Sequence, residues 1–135
     1  MKAPALDSQA TAVAAARAAL DKQAEQVMVL DLRGLSTVTD FFVIGTADNP
    51  RQLGALQDHV EAVLAPLGVS VWHTEGLAAL AARGEASDEP QWVLMDCGDV
   101  VVHLLDRRAR VFYRLEDLWA DAPHVLLAEH EPPSP

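Results

Sequence analysis

The chain has one cysteine, one tyrosine and half as many cations as carboxylates, and none of its apolar runs approaches the roughly 20 residues that span a bilayer. Each shortage excludes something. The lone Cys97 cannot form an intramolecular disulfide, which fits a reducing interior. Ten Lys plus Arg against 20 Asp plus Glu leave a net charge of −10. Phosphate-backbone binding rests on clustered cations, so a nucleic acid is a poor main ligand. The acidity serves either solubility or the steering of a basic partner. The alanine-rich start lacks a long apolar run and a cleavage site, so no secretory signal is read there. A cytoplasmic protein with no membrane contact is the expectation. Half of the residues are apolar, enough for one ordinary core.

Residues 8–22 favour helix, with Ser8 as cap and Val13, Ala16 and Leu20 as a thin apolar stripe. Val27–Leu32 and Phe41–Thr46 read as strands joined by the polar connection 34–40. Asn49-Pro50 supplies a cap and a first helical position, and Leu53, Leu56, Val60, Val63, Leu64 and Leu67 recur behind it at helical spacing until Pro66 and Gly68 stop the helix. Arg51-Gln52 reads as a solvated first turn. Val69–Thr74 is a third strand, which makes strand, helix and strand a right-handed parallel crossover. Residues 77–91 are Ala-, Glu- and Asp-rich and read chiefly as a loop. Asp106–Trp119 carries a packing stripe of Val111, Leu115, Leu118 and Trp119, with Phe112 and Trp119 in the core. Residues 126–135 are expected to be a disordered tail. The fold expected is α+β: one mixed five-stranded sheet with helices packed mainly on one side.

Residues 92–103, Trp-Val-Leu-Met-Asp-Cys-Gly-Asp-Val-Val-Val-His, read as a hairpin turning at Cys97-Gly98. Counting outward, Asp96 faces Asp99, Leu94 faces Val101 and Trp92 faces His103. Side chains alternate along a strand, so Val93, Met95, Val100, Val102 and Leu104 form an aliphatic core face. Trp92, Leu94, Val101 and His103 share the other face, with Asp96 and Asp99 at its tip. A face that is apolar in the middle and acidic at its end suggests a docking surface, His103 being a half-exposed contact residue. Tyr113 is either core or contact.

Enzymatic readings find less support. Asp96, Asp99, His103 and Cys97 lack a metal-ligand spacing, and two aspartates bracketing a turn are ordinary turn chemistry. No metal and no cofactor is expected. There is no Gly-x-Ser-x-Gly elbow, no phosphate-binding glycine loop, and no base beside Cys97 in sequence. Asp96 and Asp99 straddle a turn rather than alternating on one strand, which is not how a nucleotidyltransferase holds magnesium.

Several segments occur together in one family: Val29–Ser36, Thr39–Ile44, Arg51-Gln52, Glu75-Gly76, Trp92–His103, Tyr113–Trp119 and Asp121-Ala122-Pro123. In this order they resemble the bacterial ribosomal silencing factors, the Iojap-like family, over about residues 8–125. The resemblance implies one domain spanning 1–125, built on a nucleotidyltransferase-like fold that lacks the catalytic motif. It implies a non-enzymatic repressor of translation that binds the large ribosomal subunit through its fourteenth ribosomal protein. That contact blocks joining with the small subunit, chiefly under nutrient limitation, and a role in large-subunit biogenesis is implied as well. On this reading Trp92 anchors the contact, Leu94, Val101 and His103 extend it, Asp96 and Asp99 meet basic residues of the partner, and Tyr113 flanks it. Two departures stand out: a loop insertion at 77–91, and Asp48-Asn49-Pro50 where the family has a serine-rich cap. A nucleotide-handling enzyme on the same fold is the alternative reading, and a homodimer that hides the Trp92 face a third.

Overall fold

In a computed structural model, which describes residues 7–71, 73–75, 91–125 and 127, the alanine-rich start forms helix α1 (Ser8–Asp21). Its cap is Asp7 rather than the expected Ser8. The Asp7 carboxylate accepts from the Ala10 N–H at 2.7 Å, and the Ser8 hydroxyl donates instead to Asp40 Oδ2 at 3.0 Å. A charged acceptor suits the positive end of a helix better than a hydroxyl. Val13 and Ala16 are buried, whereas Leu20 is exposed.

Helix α2 (Pro50–Leu64) forms as its local sequence predicts. Asn49 Oδ1 accepts from the Gln52 N–H at 2.8 Å, Pro50 takes the first turn, and Leu53, Leu56, Val60 and Leu64 are buried. The helix ends through a short 3₁₀ turn, Ala65–Leu67, at Gly68 with φ +81°. Gln52 is more than a solvated first-turn residue. Its carboxamide oxygen accepts from the Asp48 N–H, and its NH₂ donates to the Lys22 and Gln23 carbonyls, clasping α2 to the corner after α1.

Strands β1 (Glu25–Asp31), β2 (Phe41–Ala47), β3 (His73–Glu75), β4 (Trp92–Asp96) and β5 (Val100–Asp106) lie in one mixed sheet, ordered β1-β2-β5-β4-β3. Strands β2 and β5 are parallel, and the other neighbours are antiparallel. The body of the sheet is β1, β2, β5 and β4, with the three residues of β3 at its edge. The expected crossover is therefore wider than adjacent strands would allow: β3 runs parallel to β2, but β5 and β4 lie between them. Six of the seven β5 residues are buried, which fits its central place next to β2.

Helices α1 and α2 cover one sheet face, over Val29, Phe41, Val43, Val93, Met95, Val100, Val102 and Leu104. The one-sided packing read from the sequence holds for these two helices only. Two short helices, α3 (Arg107–Tyr113) and α4 (Leu115–Leu118), cover part of the other face, where Leu30, Leu32, Ile44 and Leu105 pack with Ala109, Leu115 and Ala122.

Asp106 sets the phase of α3. Its Oδ1 caps the Ala109 N–H at 2.8 Å and its Oδ2 accepts from the Gln91 N–H at 3.2 Å. That phase turns Ala109 and Arg110 inward and Val111 and Phe112 outward. The packing stripe expected over 106–119 is corrected accordingly: Leu115 is buried and Trp119 half-buried, but Val111, Phe112 and Leu118 are exposed. The inward place is taken by a buried arginine. Arg110 Nη1 donates to Thr46 Oγ1 and its Nε to Glu116 Oε2, both at 2.7 Å. Burial raises the Glu116 carboxyl, but its own backbone N–H and the Arg110 guanidinium outweigh it and hold the group below its ordinary pKa. Arg110→Ala is expected to cost about 2 kcal/mol, because it leaves Glu116 and Thr46 without their partner. A lower denaturant midpoint at unchanged slope checks this.

Residues 77–90, where the loop insertion is expected, lie outside the described residues, as do 126 and 128–135 of the expected tail. Gln91 is buried and Leu127 packs against the core.

Candidate functional site

The β4–β5 hairpin turns on Gly98-Asp99, one residue later than expected. The Cys97 N–H donates to the Val100 carbonyl at 2.9 Å, Gly98 has φ +86°, and Asp96 Oδ1 accepts from the Gly98 N–H at 2.9 Å. Glycine at the first loop position supplies the positive φ of a two-residue hairpin turn. Asp96 therefore faces Val101, Leu94 faces His103 and Trp92 faces Leu105. The Asp96–Asp99 and Trp92–His103 pairings are corrected, yet both faces survive, because a register change of two positions keeps every side chain on its side. The Gly-Asp dipeptide, itself a two-residue loop signal, carried the right answer.

Val93, Met95, Val100, Val102 and Leu104 are all buried in the core as expected. On the opposite face Trp92, Leu94, Asp96 and Val101 are half-buried, and Asp99 is exposed at the tip. The short helices cover this face at its Trp92 end and leave it more open toward the tip. The tip is also fixed in place, since the Asp99 carbonyl accepts from Thr39 Oγ1 and the Asp40 N–H, each at 2.8 Å.

His103 is a correction. It is 3% exposed rather than half-exposed, and burial lowers its pKa to about 4. It sits diagonally from Trp92 on the same face, within reach of a long aromatic side chain. Trp92 Nε1–H donates to His103 Nδ1 at 3.0 Å.

Rings run across this face in a continuous row. Phe112 meets Tyr113 at 5.0 Å, Tyr113 meets Trp92 at 4.6 Å, and Trp92 meets His103 at 5.5 Å between centroids. His103 then meets Phe42 at 4.4 Å, and Phe42 meets Trp119 at 5.9 Å. Tyr113, open to either reading in sequence, is 41% exposed. Phe112 at 71%, with Val111 and Leu118 each at 74%, extends the apolar surface beyond the hairpin. Val111 and Phe112 share a shallow groove with Arg107 and Arg108. Sequence reasoning assigned all three apolar residues to packing. For Val111 and Phe112 the missed signal was Asp106 as helix cap, which fixes the phase of α3; Leu118 lies beyond the break at Arg114.

Burial first, then the Asp96 charge, pushes the Cys97 thiol up to about 11, so it is not a thiolate nucleophile at neutral pH. Among the described residues no three His, Cys, Asp or Glu side chains converge as metal ligands, and no helix is long and apolar enough to cross a membrane. What the geometry offers is a half-open apolar shelf, an indole in its middle and carboxylates at its end.

The chain as a whole is similar to several known proteins. The sequence profile of a family described as "Ribosomal silencing factor during starvation" matches residues 5–135. A ribosomal silencing factor of Bacillus subtilis is 38% identical over 109 residues, covering 81% of this chain and 84% of that protein. The chloroplast protein Iojap of Arabidopsis thaliana is 32% identical over 121 residues, 90% of this chain and 46% of its own length. A crystal structure from Chromobacterium violaceum, 31% identical, superposes with a TM-score of 0.73 and covers 85% of this chain and 88% of its own.

Proposed function

The chain belongs to the family of ribosomal silencing factors, and from that premise we propose that it binds the large ribosomal subunit and keeps the small subunit from joining. The contact runs through the fourteenth protein of the large subunit, and the outcome is repression of translation, chiefly under nutrient limitation, with a part in large-subunit biogenesis. The protein acts in the cytoplasm, as one domain over residues 1–125, on a nucleotidyltransferase-like frame that does no catalysis.

The observation that carries this reading is the half-open Trp92 face. Trp92, Leu94, Val101 and Tyr113 present apolar area around an indole, the residue type that most often dominates an interface. Asp96 and Asp99 stand at its end, and a net charge of −10 favours approach to a basic protein seated on RNA. His103 supports the face from beneath.

Co-sedimentation tests the proposal. Incubated with purified subunits, the protein is expected to pellet with large subunits and stay in the supernatant with small ones. Equal pelleting with both, or with neither, overturns it. Calorimetric titration with nucleoside triphosphates and magnesium is expected to give no heat of binding; a saturable heat favours the enzymatic alternative.

A further inference from the structure

His103 is out of reach of any partner, yet it is not a good core filler. The Trp92 indole donates its N–H to His103 Nδ1 at 3.0 Å, which requires a lone pair on Nδ1 and so the neutral ring protonated at Nε2. That Nε2 is buried and has no hydrogen-bond partner among the described residues. A Phe or Leu would fill the space without burying an unpaired donor, and burying one is unfavourable. What an imidazole supplies here, and an apolar side chain cannot, is an acceptor for the indole.

The surroundings show what that acceptor achieves. Tyr113 lies against Trp92 from α3, and Phe42 lies edge-on to the far side of His103 at 4.4 Å. Trp92 itself is only half-buried, so packing holds the indole over part of its surface only. The hydrogen bond ties down the one polar atom of the indole from below. We propose that His103 is a positioning residue: it holds the Trp92 indole in the pose that meets the partner, without touching the partner itself. This rests on the reading of the Trp92 face as the docking surface. A side chain ordered before contact loses less freedom on binding, so affinity rises without any added contact.

Nuclear magnetic resonance and subunit binding together test the proposal. The Trp92 indole N–H resonance is identified by its loss in Trp92→Phe. In the unmodified protein it is expected to show a nitrogen–nitrogen coupling across the hydrogen bond to an imidazole nitrogen. In His103→Phe that resonance should move to the position of a free indole. Affinity for large subunits should fall about three- to tenfold, with cooperative unfolding retained. His103→Asn, whose Oδ1 lies near the place of Nδ1, should restore both.

A folded His103→Phe that binds within twofold of the unmodified protein overturns the positioning role. So does an indole resonance that no His103 variant moves. Should neither variant fold, the coupling in the unmodified protein decides, and its absence overturns the proposal. If the unmodified protein does not bind large subunits, it is the proposed function that fails; the coupling and the resonance shifts still report whether His103 sets the indole.

Discussion

Trp92→Ala is expected to remove at least about 2 kcal/mol of affinity for the large subunit, roughly thirtyfold or more, enough to abolish co-sedimentation at low micromolar protein. The size follows from where the indole sits. It lies mid-row between Tyr113 and His103, half-open to solvent, on a face whose other members are aliphatic or acidic. Truncation leaves Tyr113 without its Trp92 ring contact and His103 Nδ1 without its donor, so the shelf loses both its anchor and its order. The fold should persist, because the α1–α2 side of the sheet, with Val93, Met95, Val102 and Leu104 fully buried, does not touch the indole. Cooperative thermal unfolding with undiminished co-sedimentation would reject this face as the contact surface.

The second large effect is in acid. Burial lowers the His103 pKa to about 4 in the native state, against about 6.5 in an unfolded chain. The folded protein therefore keeps the ring neutral over a range in which the unfolded chain takes up a proton. Stability is full above about pH 6.5, falls as pH drops toward 4, and receives no further penalty from this group below that. The difference of about 2.5 pK units corresponds to about 3 kcal/mol. Asp31 and Glu116, whose pKa values are lowered, add their losses only toward and below the acid end of that window. Denaturant unfolding at a series of pH values measures the slope. His103→Phe should flatten it between 6.5 and 4; an unchanged slope in that variant would assign the acid sensitivity elsewhere.

How much of this was legible depended on how local the cause was. The Asn49 cap, Pro50 and the leucine spacing of α2 act within a few residues of one another, and that helix stands where it was expected. The aliphatic and mixed faces of the hairpin were likewise readable, because alternation along a strand is a property of the strand alone. The turn centre was readable only in the Gly98-Asp99 dipeptide, and Cys97-Gly98, which offers the same glycine, competed with it. The backbone chose the second, with the Asp96 carboxylate accepting from the Gly98 N–H.

The 106–119 segment misled for a physical reason. Apolar residues mark the inward side of a helix only if no polar residue finds partners there. Arg110 found two, Thr46 from β2 and Glu116 from α4, far from it in sequence or across a break at Arg114, where φ is +48°. Val111, Phe112 and Leu118 were displaced to the surface, and the candidate docking area grew. His103 was misjudged similarly. Trp92 lies on one part of it, and Phe42, which arrives on a parallel strand some 60 residues earlier, packs against it as well.

What the sequence alone determined is the α+β pattern, the apolar and acidic make-up of the hairpin's outer face, and the family likeness; these follow from residue type and short-range spacing. Tertiary structure decided which of those residues a partner can reach. Burial is a sum over neighbours brought together by strand order and helix phase, and no window along the chain contains them.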